Sequence, residues 1–118
     1  MELQSSMKRL SNPQKVAAQL KALSEPIRFR IVDVLRRSEL PRSGPLDAGE
    51  PGLCLTDLES RTGVYHSLIA HHVGVLRRSG LIEAEPRGRW TIYRLRANAL
   101  PNLARALVAP VADGESFL

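Results

Sequence analysis

The chain has 118 residues, which is enough for one domain and too little for two. Hydrophobic residues make up 43% and charged residues 25%, so wholesale disorder and a low-complexity fibre are excluded. The formal charge is +5, and seven arginines but only two glutamates fall between residues 61 and 96. A basic excess gathered in one stretch is typical of a nucleic-acid-binding surface.

The lone cysteine and the pattern of apolar residues indicate the compartment. Cys54 is the single cysteine, which excludes an intrachain disulfide framework and fits a reducing environment. No apolar run approaches the roughly 20 residues that a membrane span needs, and residues 1–9 have no apolar signal core. We expect a cytoplasmic protein without a membrane partner. It should have a flexible segment at 1–12, one domain at 13–111 and a frayed tail at 112–118.

The first half of the chain predicts two helices and a loop. Apolar spacing after Asn12–Pro13 predicts a helix over about 13–23. Ser24 is the expected N-cap of a second helix, which ends near Arg37. Residues 41–53 contain three prolines and three glycines, and this composition predicts a solvated loop.

The second half predicts three further helices. Thr56 and Glu59 have capping-box spacing, which predicts a short helix over about 56–61 that ends before Gly63. A fourth helix, ending near Arg78, should bury one face and stop at Ser79–Gly80. A last helix should start after Asn98 and reach about residue 111. The apolar face of the fourth helix is predicted to contain Tyr65, Ile69, His72, Val73 and Leu76.

A β-hairpin is predicted between the fourth and fifth helices. A short strand begins at Leu81–Ile82, residues 86–89 form a turn, and residues 90–95 are rich in β-formers. The expected fold is mainly α with a small β-hairpin (α+β). It is a winged helix-turn-helix of five helices with a two-stranded wing.

The order of these elements resembles the ArsR/SmtB-type bacterial repressors. The resemblance covers about residues 16–110. It rests on LKALSEPIRFRIVDVLRR (20–37), LCLTDLESRTGV (53–64), SLIAHHVGVLRRSGLIEAE (67–85) and RGRWTIYRL (87–95). It implies a homodimeric repressor of its own operon that binds palindromic double-stranded operator DNA and is released by a metal ion or another inducer. The dimer interface implied for the first and last helices comprises Val16, Leu20, Leu23, Leu100, Leu103, Leu107 and Val111.

The predicted DNA contacts lie on the fourth helix and the wing. His66, Ser67 and His71 match positions that read bases or phosphates in the family, although a plain solvated helix face would look similar. Arg87 and Arg89 could reach the minor groove or its phosphates, or only solubilise a turn. The remaining members of the set are Ala70, which faces outward, and Arg77 and Arg78, which either hold phosphate or complement the helix dipole.

The metal sites of the family are incomplete or absent here. Cys54 stands where the cysteine pair begins, but the second position is Thr56. The last helix contains no histidine. The remaining weak candidates for a transition-metal effector are Cys54, His66, His71 and His72. Of these, His72 is better explained as a packed core histidine, and Cys54 as a small buried hydrophobe.

Functions of other classes compete with that of a DNA-binding repressor. An enzyme would need a convergent nucleophile, base and orienting group, and no motif spacing supports one, so we expect no enzymatic activity. The fold could also lack its own sensor and be regulated by a second protein, or serve as a protein-interaction module. Asp47 and Glu50 in the 41–53 loop could contact a cation or a partner, but a solvated loop is the simpler interpretation.

Overall fold

The computed structural model describes residues 12–39 and 41–108. The order of elements is α1 (Pro13–Leu23), α2 (Pro26–Arg37), β1 (Leu53–Cys54), α3 (Leu55–Thr62), α4 (His66–Arg78), β2 (Ile82–Arg87), β3 (Trp90–Leu95) and α5 (Ala99–Val108). The five helices are therefore confirmed. The parts of the predicted domain limits at 1–11 and 109–118, Val111 included, lie outside the described residues.

The helix boundaries follow from local chemistry. Asn12 caps α1 because its side chain accepts hydrogen bonds from the backbone N–H groups of residues 14 and 15. Pro13 and Pro26 open the two first helices, where a missing N–H costs nothing. Gly63 ends α3 in the left-handed conformation with φ of 73°. The turn of residues 63–65 then leads directly into α4, which gives a helix-turn-helix.

One core holds these elements together. The buried apolar side chains of α2, α3 and α4 meet the ends of β2 and α5 in a single cluster. This arrangement fixes α4 against the body of the domain along one face and leaves its opposite face open. The fully buried large side chains are Ile31, Leu53, Leu58, Ile69, Leu76, Leu81, Ile82 and Ile92.

The sheet has three strands rather than the predicted two. It is antiparallel in the order β1-β3-β2, with Leu53 opposite Tyr93 and Cys54 opposite Ile92. The wing pairs β2 with β3 from Ile82–Leu95 to Arg87–Trp90. The third strand ties the start of α3 to the wing. None of the helices described is long and apolar enough to cross a membrane.

Three predicted capping or packing roles were wrong. Ser24 ends α1, while the Glu25 carboxylate caps α2 by accepting from the N–H of Arg28. Thr56 is not a cap, because β1 carries the chain straight into α3 and Cys54 occupies the N-cap position without a side-chain bond. Tyr65 is 69% exposed, because α4 begins one residue later and this side chain precedes the buried face.

The 41–53 segment is the predicted loop up to the start of β1, with most of its residues exposed, but internal contacts hold it in place. Arg42 donates to the backbone carbonyl oxygens of Asp47, Glu50 and Gly52 from within the segment. Gly44 and Gly52 lie so close to Ile92 that an added Cβ would come within 2.7 and 2.6 Å of its side chain. The segment is therefore fastened to β3 at the base of the wing.

Candidate nucleic-acid interface

Helix α4 presents one buried face and one exposed face. Ile69, Val73 and Leu76 are buried in the core, and the helical period places the intervening positions on the outside. The predicted contact residues on α4 all fall on this exposed face: His66, Ser67, Ala70, His71, Arg77 and Arg78.

The exposed polar groups of α4 differ in their partners. The His66 ring lies 3.1 Å from Glu59 Oε2 of α3, which positions the imidazole at the start of α4. Neither the Ser67 hydroxyl nor the His71 ring forms a hydrogen bond with the residues that the structure describes. Both side chains are therefore available to an external ligand.

His72 is a structural histidine, as predicted. It is 6% exposed, and its Nδ1 lies 3.2 Å from Arg28 Nη1. A guanidinium can only donate, so Nδ1 accepts this bond and the neutral ring carries its proton on Nε2. Burial lowers the pKa of His72, which favours this neutral form. The Arg28 side chain also donates to the Ala22 carbonyl oxygen at 2.7 Å, so this cluster joins α1, α2 and α4.

The wing turns through Gly88 and Arg89. Gly88 has φ of 60°, and Arg87 pairs with Trp90 across the two-residue loop. A positive φ at the first loop position alone matches the type II′ turn, which glycine favours. The exposed Arg89 side chain stands at the tip and can meet a ligand there.

Arg87 is bound within the protein instead of projecting from the tip. Its guanidinium contacts Glu50 of the 41–53 segment, with Nη1 2.9 Å from Oε1, and contacts Glu85 of β2 with Nε 3.1 Å from Oε2. Arg94 of β3 joins them, with Nη1 2.7 Å from Glu85 Oε1. The hydrogen bond from Arg87, and next the N–H of Asp47, lower the pKa of Glu50 to about 2. We call Glu50, Glu85, Arg87 and Arg94 the wing network.

The partners of the arginine side chains divide them into two groups. Nine of the thirteen described arginines donate to a carboxylate, carbonyl oxygen or ring nitrogen within the protein. The other four have no such side-chain partner in residues 12–39 and 41–108, and they lie at the end of α4, at the wing tip or directly after β3. They are Arg77, Arg78, Arg89 and Arg96. Arg96 was missed from the sequence, because a single basic residue after a strand carries no signal.

The candidate metal ligands are not gathered at one place. Cys54 is buried beneath the 41–53 segment, and its thiol lies 3.4 Å from Asp57 Oδ2. The same carboxylate accepts from the N–H and hydroxyl of Ser43. Burial raises the pKa of the Cys54 thiol. Within the described ranges, no group of three or more His, Cys, Asp or Glu residues could hold a metal ion.

A helix-turn-helix followed by a short hairpin, with an exposed helix face and unpaired guanidiniums beside it, defines a winged-helix DNA-binding protein. No family model matches the sequence, but curated relatives do. The chain is 29% identical over 114 residues to the transcriptional repressor SmtB homolog of Synechocystis, covering 97% of this chain and 76% of that protein. It is 31% identical to the biofilm growth-associated repressor of Xylella fastidiosa, covering 79% of this chain and 70% of that protein.

Solved structures show the same fold. An ArsR-like transcriptional regulator from Rhodococcus is 28% identical, with a TM-score of 0.62 over 80% of this chain and 76% of that one. A winged helix-turn-helix domain of Mycobacterium bovis, described as homodimeric, is 23% identical with a TM-score of 0.59, covering 78% of this chain and 70% of that one. The chain belongs to the ArsR/SmtB family of winged helix-turn-helix transcriptional regulators.

Proposed function

We propose that the protein is a dimeric repressor that recognises a palindromic operator through α4 and the wing. The exposed face of α4 carries the proposal, since Ser67 and His71 stand free on a helix whose other face is locked into the core. Such a helix can enter the major groove and present short polar side chains to base edges.

Positive charge beside this face supports the same proposal. The four arginines without an internal partner lie at the end of α4, at the wing tip and at the base of the hairpin, so their charge is available to phosphates. Arg87 takes part less directly, because two carboxylates already bind its guanidinium. The wing contact therefore falls to Arg89, with Arg87 holding the hairpin in shape.

The dimer is supported by apolar residues left uncovered on the packed pair α1 and α5. Leu20, Leu107 and Val108 are 40%, 56% and 75% exposed. Exposed apolar side chains on two helices that pack together in a small domain are typical of an interface with a second copy. The homodimeric Mycobacterium bovis domain has this fold. Two copies would place two α4 helices on the two halves of a palindrome.

The test compares specific with non-specific binding. Fluorescence anisotropy should measure the wild type and Ser67→Ala, His71→Ala and Arg36→Ala on the DNA upstream of the protein's own gene and on a random duplex. Ser67→Ala and His71→Ala should lose about 1–3 kcal/mol on the upstream DNA and little on the random duplex. Arg36, on α2 and paired with Asp33, is the control and should change neither. Equal losses on both DNAs would contradict base reading by α4.

Release by an effector is tested with the same complex. Zinc, nickel, cadmium and arsenite are added in turn to the bound operator, and loss of anisotropy is followed in the wild type and in Cys54→Ser. We expect the wild type and the variant to respond alike, because the thiol is buried and engaged by Asp57. Stoichiometric release of the wild type alone would identify Cys54 as the sensor.

A further inference from the structure

An open groove of about 570 Å³ lies between the second half of α4 and the start of β2. Its lining residues are the arginines Arg77, Arg78 and Arg96, together with Gly74 and residues 82–84. Three arginines therefore share one concave surface with a single carboxylate residue, Glu83.

None of these guanidiniums is neutralised by the residues that the structure describes. Glu83 makes no ion pair within 4.0 Å with any of them, while the carboxylates Glu50 and Glu85 are taken by the wing network. Three arginines against one unpaired glutamate leave an excess of positive charge along the groove. Like charges repel one another and favour an anion between them, so the charge of the groove suits an anionic ligand.

Gly74 leaves room for the Arg78 guanidinium against α4. A Cβ at this position would lie 3.3 Å from Arg78 Nη1, so the guanidinium folds back over the position where another residue would place its side chain. A glycine in a helix interior costs about 1 kcal/mol relative to alanine, and this close approach is a physical reason to retain it.

We propose that this groove binds one backbone phosphate of DNA, with Arg78 and Arg96 as its ligands and Arg77 at its rim. This inference rests on the proposed function. In this arrangement α4 occupies the major groove, the hairpin lies beside it, and the DNA strand between the two passes the gap between α4 and the start of β2. The group that this strand presents is a phosphodiester, and guanidinium donors fit its two free oxygens in a bidentate manner.

The experiment uses a random-sequence duplex, because a phosphate contact does not depend on the operator. Binding of the wild type, Arg78→Ala, Arg96→Ala, the double variant and Arg36→Ala is measured from about 50 to 200 mM salt, a range over which phosphate contacts weaken steeply. Loss of one phosphate contact lowers the slope of log K against log salt by about 0.9. We expect this loss in each groove variant and none in Arg36→Ala, which removes one exposed charge elsewhere.

If Arg78 and Arg96 bind the same phosphate, their effects on DNA binding should not be additive. The double variant should lose less than the sum of the two single losses, because both side chains serve the same ligand. Arg96→Lys should restore part of the slope, since an ammonium keeps the charge without the bidentate geometry. Circular dichroism of each variant checks that the exposed substitutions leave the fold unchanged.

The contrary results separate the two proposals. A wild type that binds the duplex without salt dependence would overturn the proposed function and this site together. If binding by the wild type depends on salt, but the salt slopes of the groove variants equal that of Arg36→Ala, the phosphate site in the groove would be overturned and the proposed function would stand. Inorganic phosphate is titrated calorimetrically without DNA. Suppose that inorganic phosphate binds saturably, that Arg96→Ala abolishes this binding, and that the same variant keeps the wild-type salt slope on DNA. The groove would then be a site for a soluble anion, and the proposal would be overturned.

Discussion

Gly74 is the residue at which helix stability and DNA binding oppose each other. Gly74→Ala should raise the free energy of unfolding by about 0.5–1 kcal/mol, because alanine loses less backbone entropy in a helix. The same methyl group would press on the Arg78 guanidinium at 3.3 Å, so affinity for a random duplex should fall. Urea unfolding and fluorescence anisotropy measure the two effects.

The matched control removes the side chain on which Gly74 acts. In an Arg78→Ala background, Gly74→Ala should stabilise the protein as before and have no further effect on DNA affinity. A further loss there would show that the methyl group disturbs the interface directly rather than through Arg78.

Cys54 is the residue whose chemistry the fold suppresses. Its thiol is buried, and the pKa is raised from the ordinary value of 9.0 by burial. Because the pKa of the thiol is higher in the folded protein, the unfolded chain loses the proton of Cys54 at a lower pH. Ionisation therefore favours unfolding, and the protein should lose stability as pH rises above 9. Cys54→Ser keeps a donor to Asp57 and should remove this alkaline loss. Urea unfolding at pH 7 and at about pH 10, beyond the ordinary cysteine pKa, compares the two proteins, and a parallel fall in both would contradict the assignment.

At the scale of elements, the 41–53 segment acts as a brace for the wing through Glu50. The pKa of Glu50 is lowered to about 2 from 4.5. A carboxyl with a depressed folded pKa stabilises the protein above its unfolded pKa, and this contribution is lost as pH falls through the folded value. Glu50→Gln should therefore be less stable than the wild type at pH 6, and the difference should shrink between pH 4.5 and about 2.

Chemical denaturation across this pH range measures the effect, with Glu39→Gln as the control because Glu39 is exposed and lies outside the wing network. Weaker retention of Arg87 is the second consequence. Glu50→Gln should make the salt dependence of DNA binding steeper, since Glu85 then holds the guanidinium without the second carboxylate and phosphate can compete for it. A stability difference that stays constant from pH 6 to pH 2 would refute the brace.

The elements that could be predicted from the sequence are those with local signals. The starts of α1 and α2 are predictable because Pro13 and Pro26 occupy their first turns. The buried faces of the helices follow the helical period. Strand β1 was missed because two residues have no detectable period. It exists through its pairing with β3, about 40 residues away along the chain. The packing of the 41–53 segment depends on equally distant partners.

The position of the candidate site could be predicted from the sequence, but not which of its arginines are bound by carboxylates of the protein. The exposed face of α4 follows from spacing alone, so His66, Ser67 and His71 could be placed there. Whether an arginine is free depends on three-dimensional neighbours. Arg87 and Arg89 look alike in sequence, yet only Arg87 reaches the carboxylates of Glu50 and Glu85.

At the scale of the whole molecule, α5 carries one buried leucine, which should be needed for folding, and one exposed leucine, which should be needed for dimer formation. Leu103 is 6% exposed and belongs to the core of its own protomer, whereas Leu107 is 56% exposed. Leu103→Glu should therefore unfold the protein by burying an unpaired charge. Leu107→Glu should leave the fold intact and give monomers, because the charge would enter only the proposed contact between copies.

Light scattering after gel filtration, with circular dichroism as the check on folding, distinguishes these outcomes. The Leu107→Glu monomer should bind a two-half-site operator about 10²-fold or more weakly than the wild type, since a dimer places its second helix at high effective concentration. It should bind an isolated half-site almost as the wild type does. In the wild-type complex the half-sites should lie about 34–36 Å apart, one turn of DNA, or a multiple of that distance. A folded Leu107→Glu protein that remains dimeric would place the interface elsewhere and would remove the geometric reason for this spacing.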